Sequence, residues 1–96
     1  MKVFLSAEFD QWLATQSPKT VGIVEARIAR LVNSNHWGHI NQFDGLTELK
    51  WTSGLRVYTA RMEMDLVLIL WGGNKNGQEK DIKKAKALRA SWIQRV

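Results

Sequence analysis

The hydrophobic rhythm of the chain changes several times, and each change marks an element. "KVFL", Lys2 to Leu5, reads as a short opening strand. Phe9, Trp12 and Leu13 then recur at helical spacing behind Ser6, whose hydroxyl can accept a bond from the free N–H groups of a helix's first turn. Ser17-Pro18 restarts the pattern, with serine capping and proline in the first turn, where its missing N–H costs nothing. Val21, Val24, Ile28, Leu31 and Val32 follow at steps of three to four, leaving Glu25, Arg27 and Arg30 for solvent. A second helix to about Asn33 is expected, and with the first it makes a helical hairpin.

"NSNHWGHINQFDG" has no period and is dense in Asn, Gly and His, so it reads as a loop of about a dozen residues. Strand patterns follow. Leu46 to Trp51 is expected to pair across the Thr52-Ser53-Gly54 turn with Leu55 to Met62, and "MEMD" to turn the chain into Leu66 to Trp71. That last run is apolar throughout, as a central strand covered on both faces is. "GGNKNGQ" has the composition of a flexible loop. From Glu79 onward Ile82, Ala85, Leu88 and Trp92 form one helical stripe, with Lys80, Lys83, Lys84, Lys86 and Arg89 around it. The predicted architecture is α+β: a strand, a helical hairpin, a three-stranded antiparallel meander and a C-terminal helix, in one domain over residues 1–96.

Composition narrows the setting. With 96 residues, 45% of them hydrophobic, the chain can build one small core. The absence of cysteine excludes disulfides and thiolate chemistry and fits a reducing compartment, so a cytoplasmic location is expected. The N-terminus has only a short apolar run, broken by Ser6, Glu8 and Asp10, which suits neither a signal peptide nor a membrane span. Net charge is +5 and unevenly distributed: residues 1–49 hold four Lys/Arg against five Asp/Glu, residues 50–96 ten against four. A basic half suits a phosphate backbone or an acidic protein as partner.

Candidate chemistry comes from strand alternation. Glu48 and Lys50 share one face of their strand and Leu49 and Trp51 the other; beyond the turn, Arg56 and Tyr58 oppose Val57 and Thr59. Two neighbouring strands can thus present a carboxylate, an amine, a guanidinium and a phenol together. Spacing alone favours a plain cross-strand ion pair on a solvated face. His36 and His39 suit acid/base work but lie in the loop without a carboxylate partner, so no metal is expected. Of the five tryptophans, Trp37 in the polar loop is the candidate for a stacking contact, while those on apolar stripes or in the buried strand belong to the core. "GGNKNG" lacks the spacing of a phosphate-cradling loop.

Four segments carry a resemblance when taken in order: "EFDQWLATQ", "VEARIARLVNSNHWG", "FDGLTELK" and "GLRVYTARMEMDLVLILWGGNKNGQEKDIKKAKAL". From about Phe9 to Leu88 they resemble the addiction-module killer proteins, HigB-like members of the RelE/ParE toxin superfamily. The resemblance implies the toxin of a type II toxin–antitoxin system, neutralised by a cognate antitoxin, expected to be a helix-turn-helix protein. It further implies an mRNA interferase: an endoribonuclease that enters the ribosome, cuts mRNA without metal or organic cofactor, and inhibits translation. ParE-like members poison gyrase instead, and a degenerate, phage-derived member would bind its partner and cut nothing.

By the same resemblance, Arg56 matches the family's strand arginine, whose forked guanidinium suits a crowded phosphate. Lys50 stands where the family has its basic residue after Glu-Leu, and Lys75 falls near an arginine before the last helix. Glu48 could take the 2′-hydroxyl proton or hold the two cations; holding is preferred, because adjacent cations favour a carboxylate's charged form. The tyrosine that some relatives carry beyond the loop is absent, with Asp81 and Ile82 in its neighbourhood, leaving the proton donor open between Tyr58 and Lys75. Lys80 to Arg89 reads first as a solvated helix face; the resemblance adds RNA docking for Lys80, Lys83 and Lys84, together with Arg61.

Overall fold

The computed structural model describes residues 1–95. Along the chain come β1 (Lys2–Leu5), α1 (Ala7–Ala14), α2 (Pro18–Ser34), β2 (Ile40–Phe43), β3 (Leu46–Lys50), β4 (Leu55–Glu63), β5 (Leu66–Asn74), a 3₁₀ turn (Lys75–Gly77) and α3 (Gln78–Arg95). The architecture is α+β, a five-stranded mixed sheet with three helices, in strand order β1-β5-β4-β3-β2. β1 runs parallel to β5, and all other neighbours are antiparallel. No described helix is long and apolar enough to cross a membrane.

The apolar run in β5 has the explanation its pattern suggested. Val67 and Ile69 join Phe9, Trp12, Val24 and Leu31 in the core beneath α1 and α2, while Leu68 and Leu70 join Leu46, Tyr58, Ala60 and Ala85 beneath α3. Both faces of the strand are therefore buried, and each fully buried aliphatic side chain contributes roughly 1.5–3 kcal/mol. Ser6 links the layers. Its Oγ accepts from the Phe9 N–H at 3.0 Å, capping α1, and donates to the Leu70 carbonyl at 2.8 Å. Ser17 caps α2 by accepting from the Thr20 N–H, with Pro18 in the first turn.

Three expectations are corrected. The long loop before the meander does not exist: α2 continues to Ser34, Asn35 ends it in the left-handed region at φ 52°, and β2 adds a fourth antiparallel strand, Ile40 facing Leu49 and Phe43 facing Leu46. Asp44 and Gly45, with φ 51° and 80°, close that hairpin as a two-residue turn of the kind that demands positive φ at both positions. "GGN" is strand rather than loop. Gly72 lies under the Trp12 indole and Gly73 under the Asp81 carboxylate, and a Cβ at either would collide with its cover, so glycine lets both helices sit close on the end of β5.

Arg27, expected in solvent, is only 8% exposed. Val24, Arg27 and Leu31 lie three and four residues apart and so share one helix face. The guanidinium donates from Nε to the Trp37 carbonyl at 3.0 Å, from Nη1 to the Lys50 carbonyl at 2.5 Å, and from Nη2 to the His39 carbonyl. Its Cζ lies 4.4 Å from the centroid of the Trp51 ring, a cation–π stack. Gly38, at φ 72°, makes room: a Cβ there would stand 2.8 Å from Arg27 Nε. One side chain thus fastens α2 to the segment before β2 and to the end of β3.

Candidate functional site

One end of the sheet gathers the chemistry. β3 ends there at Lys50, β4 begins with Leu55 and Arg56, β5 ends at Asn74, and α3 begins at Gln78. Register places Glu48 opposite Tyr58, Lys50 opposite Arg56, and Arg56 opposite Gly73. Alternation then sets Glu48, Lys50, Arg56 and Tyr58 on the face that α3 covers. The grouping expected from the sequence is present, but its depth is not. Glu48 and Tyr58 are both 0% exposed, so they floor the site rather than form its surface.

The Arg56 side chain is 13% exposed. Its Nη1 donates to the carbonyls of Leu55 at 3.1 Å and Trp51 at 3.3 Å, and Nε lies 3.8 Å from Glu48 Oε2, a loose ion pair. That carboxylate oxygen accepts a 3.0 Å bond from Gln78 Nε2, so the first residue of α3 and the arginine share one carboxylate. Glu48 Oε1 and Arg56 Nε are buried without a hydrogen-bond partner among the described residues. A buried polar group left without a partner costs about 1–3 kcal/mol.

The sheet end is closed by the 3₁₀ turn. The Lys75 N–H donates to the Gly54 carbonyl at 2.8 Å, and the Lys75 stem lies over Gly54, whose own φ is 99°. Lys75 thereby rests on the turn that precedes Arg56. On α3, Asp81 accepts a 3.1 Å bond from the Trp71 indole N–H, and Lys84 Nζ sits 3.7 Å over the same ring. Lys84 thus borders the cluster. Lys80 and Lys83 are exposed on α3. Arg61 is apart from them: five positions along β4 from Arg56, about 16 Å by strand rise, it donates to the Met64 carbonyl at its own turn. Lys50 makes no ion pair among the described residues.

Gln78, Arg27 and the Trp71–Asp81–Lys84 group were missed by sequence reasoning. Helical spacing places Arg27 on the buried stripe, so its signal was there to find. Gln78 carried none, because its partner Glu48 is 30 residues away. Trp37 packs against the core beneath α1 and α2 and is half-buried, which corrects its reading as a free stacking contact. His36 and His39 are exposed, and no group of three or more metal-binding side chains gathers among the described residues.

Tyr58 is the single tyrosine in the chain, so its ionisation can be read alone. Burial first, then the negative charges of Glu48 and Asp81, push its pKa up from the ordinary 10.0, with Arg56 partly opposing. At 0% exposure the Tyr58 hydroxyl lies out of reach of a substrate at the surface, which does not suit it to direct proton donation. The folded state keeps this proton longer than the unfolded chain does, so its stabilising effect is complete below about pH 10 and is lost as pH climbs toward the raised folded value. Alkaline titration is expected to produce phenolate absorbance only together with loss of tertiary circular dichroism; a phenolate signal near pH 10 in folded protein would contradict the burial.

No family model matches the chain. An uncharacterized protein of Haemophilus influenzae is 39% identical over 83 residues, spanning 83% of this chain and 84% of that protein.

Proposed function

We infer that this chain, which belongs to the same family as the Haemophilus influenzae protein, is the toxin of a type II toxin–antitoxin pair and cuts mRNA on the ribosome. The reading rests on the motifs that resemble HigB-like RelE/ParE toxins, and the observation that carries it is the cationic end of the sheet. There Lys50 and Arg56 are paired across β3 and β4, Lys75 rests on the turn that joins these strands, and the buried Glu48 accepts from Gln78. The partners of this reading are a helix-turn-helix antitoxin, the ribosome and mRNA, in the cytoplasm.

In the proposed reaction the RNA's 2′-oxygen attacks the neighbouring phosphorus, the 5′-oxygen leaves, and a 2′,3′-cyclic phosphate and a 5′-hydroxyl result. Arg56 Nη2, which makes no hydrogen bond among the described residues, supplies the donor for the phosphate as negative charge grows on it. Lys50 adds charge from the neighbouring strand. The Lys75 ammonium gives its proton to the departing 5′-oxygen, and the 2′ proton passes to water. Glu48 is too deep to touch RNA and acts as a positioning residue, holding Arg56 against the strand. Lys84, Lys80 and Lys83 would dock on ribosomal RNA, and Arg61 would make a separate contact near the Met64 turn.

The test is induction of this chain without an antitoxin, with transcript 5′ ends mapped within minutes. New ends inside translated frames are expected. Growth arrest with intact transcripts and broken DNA would replace this reading with the gyrase poison, and unimpaired growth with a binding protein that cuts nothing.

A further inference from the structure

The Arg27 clamp leaves a buried charge without a counter-charge. Three carbonyls satisfy its hydrogen bonds but offer only partial negative charge, and the ion pairs among the described residues, Arg56–Glu48 and Lys86–Asp44, do not include it. Arginine is almost never buried this far unless paired. Arg30 lies close enough that its charge, after burial itself, lowers the Arg27 pKa, so two cations stand together.

A cleft of about 420 Å³ opens beside them between α2 and residues 35–39. Arg30, His36 and His39 line it and are exposed, Trp51 supplies an aromatic wall, Ile23 an apolar one, and no acidic residue faces it. Small-molecule pockets run from about 300 to 1,000 Å³, so one nucleotide fits. The cleft lies on the α2 side of the sheet, opposite the Arg56 face, and the two meet at the end of β3, where Arg27 holds the Lys50 carbonyl.

We propose that this cleft binds a nucleotide, its phosphate held by Arg30 with His36 and His39 and its base against Trp51, either as a free mononucleotide or as one unit of a single-stranded RNA. The phosphate supplies the anion that Arg27 and Arg30 lack. Trp51 and Ile23 offer apolar contact to a base beside the cationic groups that hold its phosphate, which a bare anion or an acidic side chain would leave unused. This goes beyond the proposed nuclease and is separable from it, because binding is measured on the isolated protein and cleavage on translated transcripts.

The experiment titrates isotope-labelled protein with inorganic phosphate, uridine monophosphate and hexauridylate, following the Trp51 indole resonance assigned through Trp51→Phe. The expected result is a saturable shift of that resonance with both nucleotide ligands, each binding about tenfold or more tighter than phosphate. Arg30→Glu should weaken the nucleotide about tenfold, the loss of one charge-assisted contact, with the fold intact by circular dichroism. Lys19→Glu, the same charge reversal at an exposed site in the first turn of α2, should leave binding intact. A hexamer tighter than the monomer identifies a strand unit; equal affinities identify a free nucleotide. An unshifted Trp51 signal, phosphate as tight as nucleotide, indifference to Arg30→Glu, or equal weakening by Lys19→Glu would each overturn the proposal.

Discussion

Arg56→Ala is expected to lower mRNA cleavage by about 10²–10³-fold, the cost of removing one preorganised donor from a developing anion, and to relieve growth arrest on induction. Arg56→Lys should fall between, because an ammonium keeps the charge but not the planar fork. The structural cost has to be separated from the chemical one. Without Arg56 the carboxylate of Glu48 stays fully buried with Gln78 as its remaining partner, so the alanine variant should also melt at a lower temperature. Cleavage compared well below both midpoints isolates the catalytic loss. Retention within a few-fold of the parent's cleavage would mean that the phosphate is held elsewhere.

The largest stability effect is expected at Arg27. Arg27→Met preserves much of the stem's volume but leaves the Trp37 and Lys50 carbonyls without their side-chain donor, while the His39 carbonyl keeps the Lys50 N–H at 3.0 Å. Two orphaned carbonyls at about 1–3 kcal/mol each and a lost cation–π contact of about 0.5–2 kcal/mol come to roughly 2.5–8 kcal/mol. Small domains hold only about 5–15 kcal/mol in all. Urea unfolding followed by tryptophan fluorescence should therefore show a large fall in midpoint for Arg27→Met, set against Arg30→Ala, whose parent side chain is exposed. A change under about 1 kcal/mol would mean that the clamp is not what fastens α2 to the sheet.

The elements most legible in the sequence are those whose signals are local. Caps at Ser6 and Ser17, the Ile82-Ala85-Leu88-Trp92 stripe and the doubly buried β5 all follow from spacing and side-chain type within a few residues. β2 was hidden because its Asn41 and Gln42 are exposed on an edge strand, which needs few apolar side chains, although Asp44-Gly45 was a hairpin signal in plain view. Gly72 and Gly73 suggested a loop because composition cannot say that an indole and a carboxylate will lie on top of them. In the site, alternation grouped Glu48, Lys50, Arg56 and Tyr58 correctly. It could not reveal depth, which depends on α3 covering that face, nor Gln78, which reaches Glu48 only after the sheet has formed.

The parallel pairing of β1 with β5 has a consequence for synthesis. Lys2 to Leu5 are made well before their sheet partners, Leu66 to Ile69, which follow them in the chain by 64 positions. Until then the helical hairpin has no β5 to cover and Ser6 no Leu70 carbonyl to hold. The cationic end of the sheet is later still, since it needs the Lys75 turn and the Gln78 amide. A growing chain is thus unable to assemble this site before Gln78 has been made, and until then its buried Glu48 has no amide to hold.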